Sequence, residues 1–275
     1  MGTALKDYLG IVAQPEEDWD LFELSLQICR VVNPKLDIDI SHRILLEITS
    51  LVKSELIPEN NTYDVINTLN AVLFDSLGFD GNKDDYYNAE NSYMNFVLEK
   101  RKGIPVSLSV LYQKIASGIG LKLLPVAMPG HFLLKLSMPS RELFIDPFNR
   151  GEILLEDGCQ ERLEQVYQEV IEFKMEFLSA VSNRDVVLRM LVNLKRIYRQ
   201  QDQAKLLLKI LERRVPLLFD PLPEILERGL LQLSLENYNY ALRDLEHFIS
   251  ETPDVRMKKL VEERLGAIRL MASGN

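Results

Sequence analysis

Three short apolar runs in the middle of the chain constrain its fold more than any other feature of the sequence. They read KLLPVAM, HFLLKLSM and RELFIDP (residues 122–128, 131–138 and 141–147), and Pro-Gly and Pro-Ser pairs separate them. Runs of this length, bounded by turn-forming residues, are typical of antiparallel strands. We therefore predict a small antiparallel sheet of at least three strands in this part of the chain.

Helical patterns lie on both sides of the predicted sheet. Residues 16–77 are predicted to be helical, in three stretches with apolar residues at helical spacing that open with Pro15, Ser41 and Thr62. The segment IPVSLSVLYQKIASGIG (104–120) has a proline suited to a first helical turn and a glycine suited to a helix end. A small sheet inside an otherwise helical chain predicts an α+β fold that is mostly helical.

The stretch LGFDGNKDDYYNAENS (77–92) interrupts the helical pattern with two glycines and many Asp and Asn residues. It is therefore predicted to be a loop. A connection this long and polar, with paired tyrosines, is unusual for a simple connector. Two interpretations follow from the sequence, a solvated surface loop or a functional segment.

The C-terminal part of the chain contains an internal repeat. Residues 227–253 place Gly229, Tyr238, Ala241, Leu245 and Pro253 at the spacing of a tetratricopeptide repeat. A second partial match precedes it by one repeat length, at Leu194, Tyr198, Ala204, Leu207 and Leu211. We predict a boundary that separates residues 1–183 from a tetratricopeptide-like helical region at 184–275. Such a region either packs against the core or binds a partner.

Charge is unevenly distributed along the chain. The net charge is −9; residues 1–183 hold 16 basic and 28 acidic side chains, and residues 184–275 hold 16 and 13. Nucleic acids and anionic membranes need concentrated Lys and Arg, so an acidic body argues against both as main partners. The mildly basic C-terminal part would suit the acidic body or an acidic partner protein.

Cysteine usage and the first residues indicate the compartment. Cys29 and Cys159 are far apart and lack the spacing of a metal site or a disulfide framework, so we expect no metal and no cofactor. The first twenty residues lack the basic start and apolar stretch of a signal peptide. No segment approaches the roughly 18 apolar residues of a membrane span. The expected location is the cytoplasm.

Three polar residues form a candidate site. His131, one of three histidines, begins the second apolar run, and Asp146 ends the third. If these two runs pair as antiparallel strands, both residues lie directly opposite each other, and the carboxylate would orient the imidazole. Ser107 lies at the N-terminus of the preceding helix, where backbone N–H groups favour an anion. The alternative is a packed histidine and an Asp-Pro pair that merely ends a strand.

A helix start followed by strands that carry His and then Asp is the arrangement of transglutaminase and papain-like cysteine enzymes. The segments at 77–112, 128–136 and 143–159, with the repeat region behind them, resemble the SirB/YchA-type bacterial family. That family joins a transglutaminase-like core to C-terminal tetratricopeptide helices, and the same core module occurs in a eukaryotic F-box protein. The resemblance implies that the 77–92 loop is a family signature.

The resemblance also implies a catalytic site with a changed nucleophile. In transglutaminase-type enzymes the helix start carries a cysteine flanked as G-x-C, whereas here it reads GIPVSLSVLY and the matching position is taken as Ser107. Cys29 and Cys159 cannot replace it by sequence order. A helix dipole and an imidazolium can ionise a thiol, but a serine hydroxyl needs a general base to take its proton.

Two functions are therefore compared. The first is a protein- or peptide-binding module with little or no catalysis, which contacts its partner through the cleft and the C-terminal helices. The alternative is a serine-dependent amidase, protease or acyltransferase that acts on protein amide bonds. In the alternative Ser107 is the nucleophile, His131 the base and Asp146 the orienting acid. Hydrogen-bond reach between Ser107 and His131 would favour the enzyme.

Overall fold

The computed structural model describes residues 2–139, 141–169 and 171–273. Its α-helices are α1 (Thr3–Val12), α2 (Leu21–Cys29), α3 (Ile38–Glu55), α4 (Thr62–Asn70), α5 (Met94–Lys100), α6 (Pro105–Gly118), α7 (Glu156–Tyr167), α8 (Asn183–Gln200), α9 (Ala204–Arg214), α10 (Leu222–Ser234), α11 (Tyr238–Glu251) and α12 (Val255–Ser273). The strands are β1 (Asp80–Gly81), β2 (Lys102–Gly103), β3 (Leu124–Val126), β4 (Leu133–Met138), β5 (Arg141–Asp146) and β6 (Glu152–Leu154). The predicted α+β class, mostly helical, is confirmed.

Polar side chains set the starts of the N-terminal helices. The Asp20 carboxylate accepts hydrogen bonds from two backbone N–H groups at the start of α2, and Asp37 does the same for one at the start of α3. Asn61 and Asp64 form a reciprocal capping box at α4. The third predicted helix begins at Thr62, but Asn61 rather than Thr62 is its cap. The other two begin a few residues away, because aspartates rather than Pro15 or Ser41 cap them.

The three apolar runs form strands β3, β4 and β5, and β6 adds a fourth strand in the antiparallel order β3-β4-β5-β6. One face of this sheet is buried against α7, where Val126, Leu133 and Phe144 pack with Cys159 and Leu163. Each large apolar side chain buried in this way contributes roughly 1.5–3 kcal/mol. The sheet is small, and its stability depends on the helix that covers it.

Helix α6 is the central element of the N-terminal part. Ten of its residues are buried, because α2, α3, α5 and β4 all pack around it. Pro105 occupies its first turn, where the missing N–H carries no cost. The segment that follows Asp146, the 3-10 turn Pro147–Asn149, also packs against α6. The end of strand β5 is thereby held beside this helix.

The polar loop at 77–92 is folded onto its neighbours. Its strand β1 pairs in parallel with β2, so that Asp80 lies opposite Lys102, and residues Ala89–Ser92 form a 3-10 turn. Gly81 approaches the Phe148 backbone so closely that a Cβ atom there would lie 2.4 Å from its carbonyl oxygen. The loop is therefore tied to the start of α6 and to the turn after Asp146.

The chain divides into two compact units, Met1–Met190 and Leu191–Asn275. In the C-terminal unit, α10 and α11 pack closely because Gly229 faces Leu245, as the repeat pattern indicates for its small residue. Arg228 binds the buried Asp244 carboxylate through two hydrogen bonds of 2.6 and 2.8 Å. The boundary at 183/184 stays a prediction. None of the described helices is long and apolar enough to cross a membrane.

Candidate functional site

The structure brings His131 and Asp146 together. The His131 Nε2 atom lies 2.9 Å from Asp146 Oδ2; the histidine is 3% exposed and the aspartate is fully buried. Their predicted position directly opposite each other is wrong by two residues. Leu134 lies opposite Ile145, so Asp146 is level with Leu133. His131 precedes β4 and reaches the carboxylate from the turn before the strand.

Asp146 is surrounded by donors. Its carboxylate accepts hydrogen bonds from the Asn149 backbone N–H (3.2 Å) and side-chain amide (2.8 Å), and Arg162 Nε lies 3.2 Å away. Burial alone would raise the pKa of this carboxyl. This effect is outweighed by favourable contacts, and the pKa of Asp146 is held below its usual value. The contacts are, in order of size, the hydrogen bond and the charge interaction with His131, the hydrogen bond from the Asn149 side chain and the charge of the Arg162 guanidinium. Asp146 is therefore an ionised carboxylate at physiological pH.

Aromatic rings cover the histidine. The ring of Phe148 meets that of His131 edge to face, at 5.9 Å between centroids, and Tyr86 meets Phe148 in the same way at 6.0 Å. The ammonium group of Lys83 lies 5.9 Å from the Phe148 centroid. Loop 77–92 therefore packs on the ring that covers His131, while Asp84, Asp85 and Tyr87 of the same loop are exposed.

Ser107 makes its hydrogen bonds with backbone groups. Its Oγ donates to the Asn91 carbonyl oxygen at 2.6 Å and accepts from the Ile104 N–H at 3.0 Å. The Ile104 carbonyl lies 3.1 Å from the same Oγ, and the serine is fully buried. The hydroxyl thus caps the first turn of α6 and anchors the 3-10 turn that carries Asn91.

Asn91 joins the two halves of the site. Its side-chain amide donates to the backbone carbonyls of Asp85 (2.7 Å) and Tyr86 (3.3 Å), and its Oδ1 accepts from the Asn82 amide at 2.9 Å. The contact path runs from Ser107 through Asn91 to the loop, and from Tyr86 through Phe148 to His131. Ser107 and His131 are connected by this path of intervening residues.

Asn91, Phe148, Asn149 and Arg162 are not among the site residues predicted from the sequence. The density of Asn in the 77–92 loop was a signal for Asn91, since buried amides supply paired donors and acceptors. Phe148 and Asn149 lie within three residues after Asp146, in the segment 143–159 that carries the family resemblance. Arg162 gave no local signal, because it approaches Asp146 from helix α7.

Both cysteines are unsuited to be the missing nucleophile. Burial, followed by the negative charge of Asp146, raises the pKa of the Cys159 thiol to about 12. Burial also raises the pKa of Cys29 to about 12, and its Sγ donates to the Ser25 carbonyl. Neither thiol ionises near neutral pH. Within the described ranges, no group of three or more His, Cys, Asp or Glu side chains could hold a metal ion.

A helix start beside a sheet that presents His and Asp, followed by paired repeat helices, defines a transglutaminase-like core with a tetratricopeptide region. Sequence comparison agrees with this class. A transglutaminase-like superfamily model matches residues 41–192, and a tetratricopeptide repeat model matches residues 194–266. The chain belongs to the transglutaminase-like superfamily and, within it, to the SirB-type bacterial family.

Two bacterial relatives cover most of the chain, and a eukaryotic one matches about a third of it. A UPF0162 protein of Xylella fastidiosa is 30% identical over 254 residues, which are 91% of this chain and 90% of the relative. The protein SirB1 of Salmonella typhimurium is 28% identical over 225 residues, or 82% and 83% of the two chains. The human F-box only protein 21 is 42% identical over 104 residues, 35% of this chain and 17% of its own length.

Proposed function

We propose that this protein is a protein- or peptide-binding module with little or no catalysis. The observation that carries the proposal is the hydrogen bond from the Ser107 hydroxyl to the Asn91 carbonyl oxygen at 2.6 Å. A nucleophilic serine must give its proton to a general base during attack. A backbone carbonyl oxygen is no such base, so this hydroxyl serves the fold.

The arrangement of the other two residues supports the same proposal. His131 and Asp146 are both buried beneath Phe148 and its neighbours, and Asp146 also receives the side chain of Asn149. In this proposal the pair fixes the turn before β4 to the end of β5. The surface around the pair and the tetratricopeptide helices then supply contacts for a partner protein, a role for which such repeats are suited.

The alternative is a serine-dependent amidase, protease or acyltransferase with Ser107, His131 and Asp146 as nucleophile, base and orienting acid. The 2.9 Å contact between His131 and Asp146 favours it, because that contact is the base-orienting half of a triad. Catalysis would require the Ser107 hydroxyl to leave the Asn91 carbonyl and reach the imidazole. The two functions therefore differ in the role of the Ser107 Oγ atom, which is a nucleophile in the enzyme and a helix cap in the binding module.

Two labelling experiments separate these functions. The native chain is treated with a fluorophosphonate probe, which reacts with activated serines, and Ser107→Ala serves as the control. In parallel, Ser107→Cys is alkylated with iodoacetamide across a pH series, with and without His131→Ala, and modified peptides are assigned by mass spectrometry. Cys29 and Cys159 serve as internal references, because their thiols have pKa values of about 12.

The proposal predicts no fluorophosphonate adduct on Ser107. It also predicts that the Ser107→Cys thiol alkylates slowly below pH 8, with a rate that does not depend on His131. An adduct on Ser107 that disappears in His131→Ala would overturn the proposal in favour of the serine enzyme. A thiol that reacts rapidly well below pH 8, only when His131 is present, would do the same.

We also propose a cytoplasmic location. Cys29 and Cys159 are both free and buried, which suits a reducing compartment where thiols persist. Fractionation of cells that express a tagged full-length chain tests this directly. Recovery in the periplasmic or secreted fraction would contradict it.

A further inference from the structure

One group of exposed residues is linked to His131 through a series of ring contacts, and a second group of exposed and half-buried residues lies against Gly130. We call the first the loop flank; it consists of Asp84, Asp85 and Tyr87. We call the second the helix flank; it lies at the end of α7 and consists of Glu164, Val166, Tyr167 and Glu169. Each flank combines an exposed tyrosine with carboxylates.

The loop flank is connected to the histidine through stacked rings. The Tyr87 ring meets Tyr86 edge to face at 5.2 Å, and Tyr86 contacts Phe148, which covers His131. Tyr87 itself is 52% exposed. Asp84 and Asp85 precede it in the loop, and both are exposed. A ligand at this flank would therefore contact an aromatic face and negative charge together.

The helix flank lies against the backbone of Gly130. A Cβ atom at Gly130 would lie 2.5 Å from Val166 Cγ1 and 3.2 Å from Tyr167 Cε2. Val166 and Tyr167 nevertheless remain 40% and 43% exposed. Glu164 lies one helical turn before Tyr167, and Glu169 follows shortly after it. This flank adds an apolar contact and further carboxylates to the same neighbourhood.

Both flanks lie in strongly acidic segments. Residues 77–92 contain four acidic side chains and one basic one, and residues 152–176 contain eight and two. Three of these carboxylates already form ion pairs, Asp80 with Lys102, Glu90 with Lys100 and Glu152 with Arg162, so the attraction rests on the other acidic residues. Clustered negative charge of this kind attracts cationic ligands and raises the rate at which they associate.

We infer that the two flanks form a docking surface for a basic segment of a partner protein, with Lys or Arg side chains on the tyrosine rings and the carboxylates. The inference rests on the proposed binding function and names the partner's chemistry. A Lys or Arg side chain over an aromatic face makes a favourable cation–π contact. A neighbouring carboxylate can accept a charge-assisted hydrogen bond from the same side chain, which adds to the affinity. The chain already uses such contacts, with Lys83 over Phe148 and Arg141 over Tyr63.

The test is selection of peptides from a random-sequence display library on the immobilised full-length chain. A selected peptide is then synthesised with a fluorescent label, and its affinity is measured by fluorescence polarisation at several NaCl concentrations. The charge variant is Asp84→Lys with Glu169→Lys, and the aromatic variants are Tyr87→Ala and Tyr167→Ala. A matched control, Glu47→Lys with Glu55→Lys, changes the same charge on the exposed face of α3. Thermal melting verifies that each variant is folded.

The expected result is enrichment of Arg and Lys in the selected peptides and weaker binding as salt rises. The charge variant should lose roughly tenfold in affinity, and each aromatic variant about three- to fivefold, while the α3 control binds like the native chain. Selected peptides without basic enrichment, or a charge variant that binds like the control, would overturn the inference. Self-association abolished by the charge variant in sedimentation would assign the surface to a second copy, and would overturn it too.

Failure of this inference and failure of the proposed function give different results. A fluorophosphonate adduct on Ser107 refutes the non-catalytic proposal, whatever peptides are selected. Loss of basic enrichment with no adduct refutes only the docking surface. If both an adduct and basic peptides were found, the surface would be a substrate-binding region of a serine enzyme.

Discussion

Arg162 Nε lies 3.2 Å from Asp146 Oδ2, the same oxygen atom that contacts His131. The Arg162 guanidinium therefore already compensates the charge that a triad aspartate would use to stabilise an imidazolium. The guanidinium is also tied to Glu152 on strand β6. The pair of His131 and Asp146 thus belongs to a buried charge network that joins the sheet to helix α7, in keeping with a structural role.

Replacement of Asp146 by Asn is expected to destabilise the protein in a pH-dependent way. Because the folded-state pKa lies below the ordinary value of 3.8, the carboxylate contributes stability that is present above that value. This contribution is lost as the pH falls through the folded-state pKa. At pH 7 the variant should lose about 3 kcal/mol of unfolding free energy, since His131 and Arg162 lose a buried partner.

Urea denaturation at a series of pH values measures this effect. The difference between the native chain and Asp146→Asn should shrink as the pH falls below about 4. Asp84→Asn changes an exposed aspartate in the same unit and should have little effect at any pH. A difference that stays constant from pH 7 to pH 3 would show that the carboxylate charge is not what stabilises this site.

Replacement of Ser107 by Ala should lower stability by about 1–2 kcal/mol, because the Ile104 N–H and the Asn91 carbonyl would lose their partner in a buried environment. Ser109, two residues further along the same helix, is an internal control. It is fully buried, and its Oγ has no hydrogen-bond partner in the described part of the chain. Ser109→Ala should change stability by less than about 0.5 kcal/mol. Equal losses in the two variants, measured by chemical denaturation, would contradict the capping role.

The fold class followed from patterns that local physics controls. Short apolar runs between turn residues form β3, β4 and β5, and the repeat spacing marks the helices in which Gly229 faces Leu245. Helix starts were less accurate, because Asp20 and Asp37 compete successfully with other potential caps. The residues that lie opposite each other in the sheet also depend on how β4 is connected to β5, and the sequence does not specify the geometry of that connection.

The candidate site was only partly predictable. His131 and Asp146 could be paired from the sequence, since strands that follow each other along the chain usually lie side by side. The direction of the Ser107 hydroxyl could not, because it depends on Asn91, sixteen residues earlier in a loop without a regular pattern. Arg162 enters from a helix whose packing is known only once the sheet is folded. Contacts between distant segments decide what the site can do.

Asn91→Ala should release the loop that covers the His–Asp pair. The substitution removes the amide that holds the Asp85 and Tyr86 carbonyls and the acceptor for Asn82, at a cost of about 2 kcal/mol. Limited trypsin digestion should then cleave after Lys83 faster than in the native chain. Asn88→Ala is the control: it removes the side-chain bonds to the Asp85 carboxylate and the Glu90 N–H in the same loop, and it should raise the cleavage rate less than Asn91→Ala. Equal cleavage rates for Asn91→Ala and the native chain would show that other contacts secure the loop.

Gly81→Ala is expected to displace Phe148 from His131. The new Cβ atom would lie 2.4 Å from the Phe148 carbonyl oxygen and 2.6 Å from its ring, so strand β1 or the Pro147–Asn149 turn must move. Overpacking of this kind costs about 1–3 kcal/mol. The His131 ring proton resonances should also shift in NMR spectra, because they sense the edge-to-face ring of Phe148.

Gly10→Ala is the matched control: no atom lies within 4 Å of its new Cβ, and alanine in helix α1 should stabilise the protein by about 0.5–1 kcal/mol. If Gly81→Ala were as stable as Gly10→Ala and left the His131 resonances unchanged, the loop would not hold Phe148 in place over the histidine.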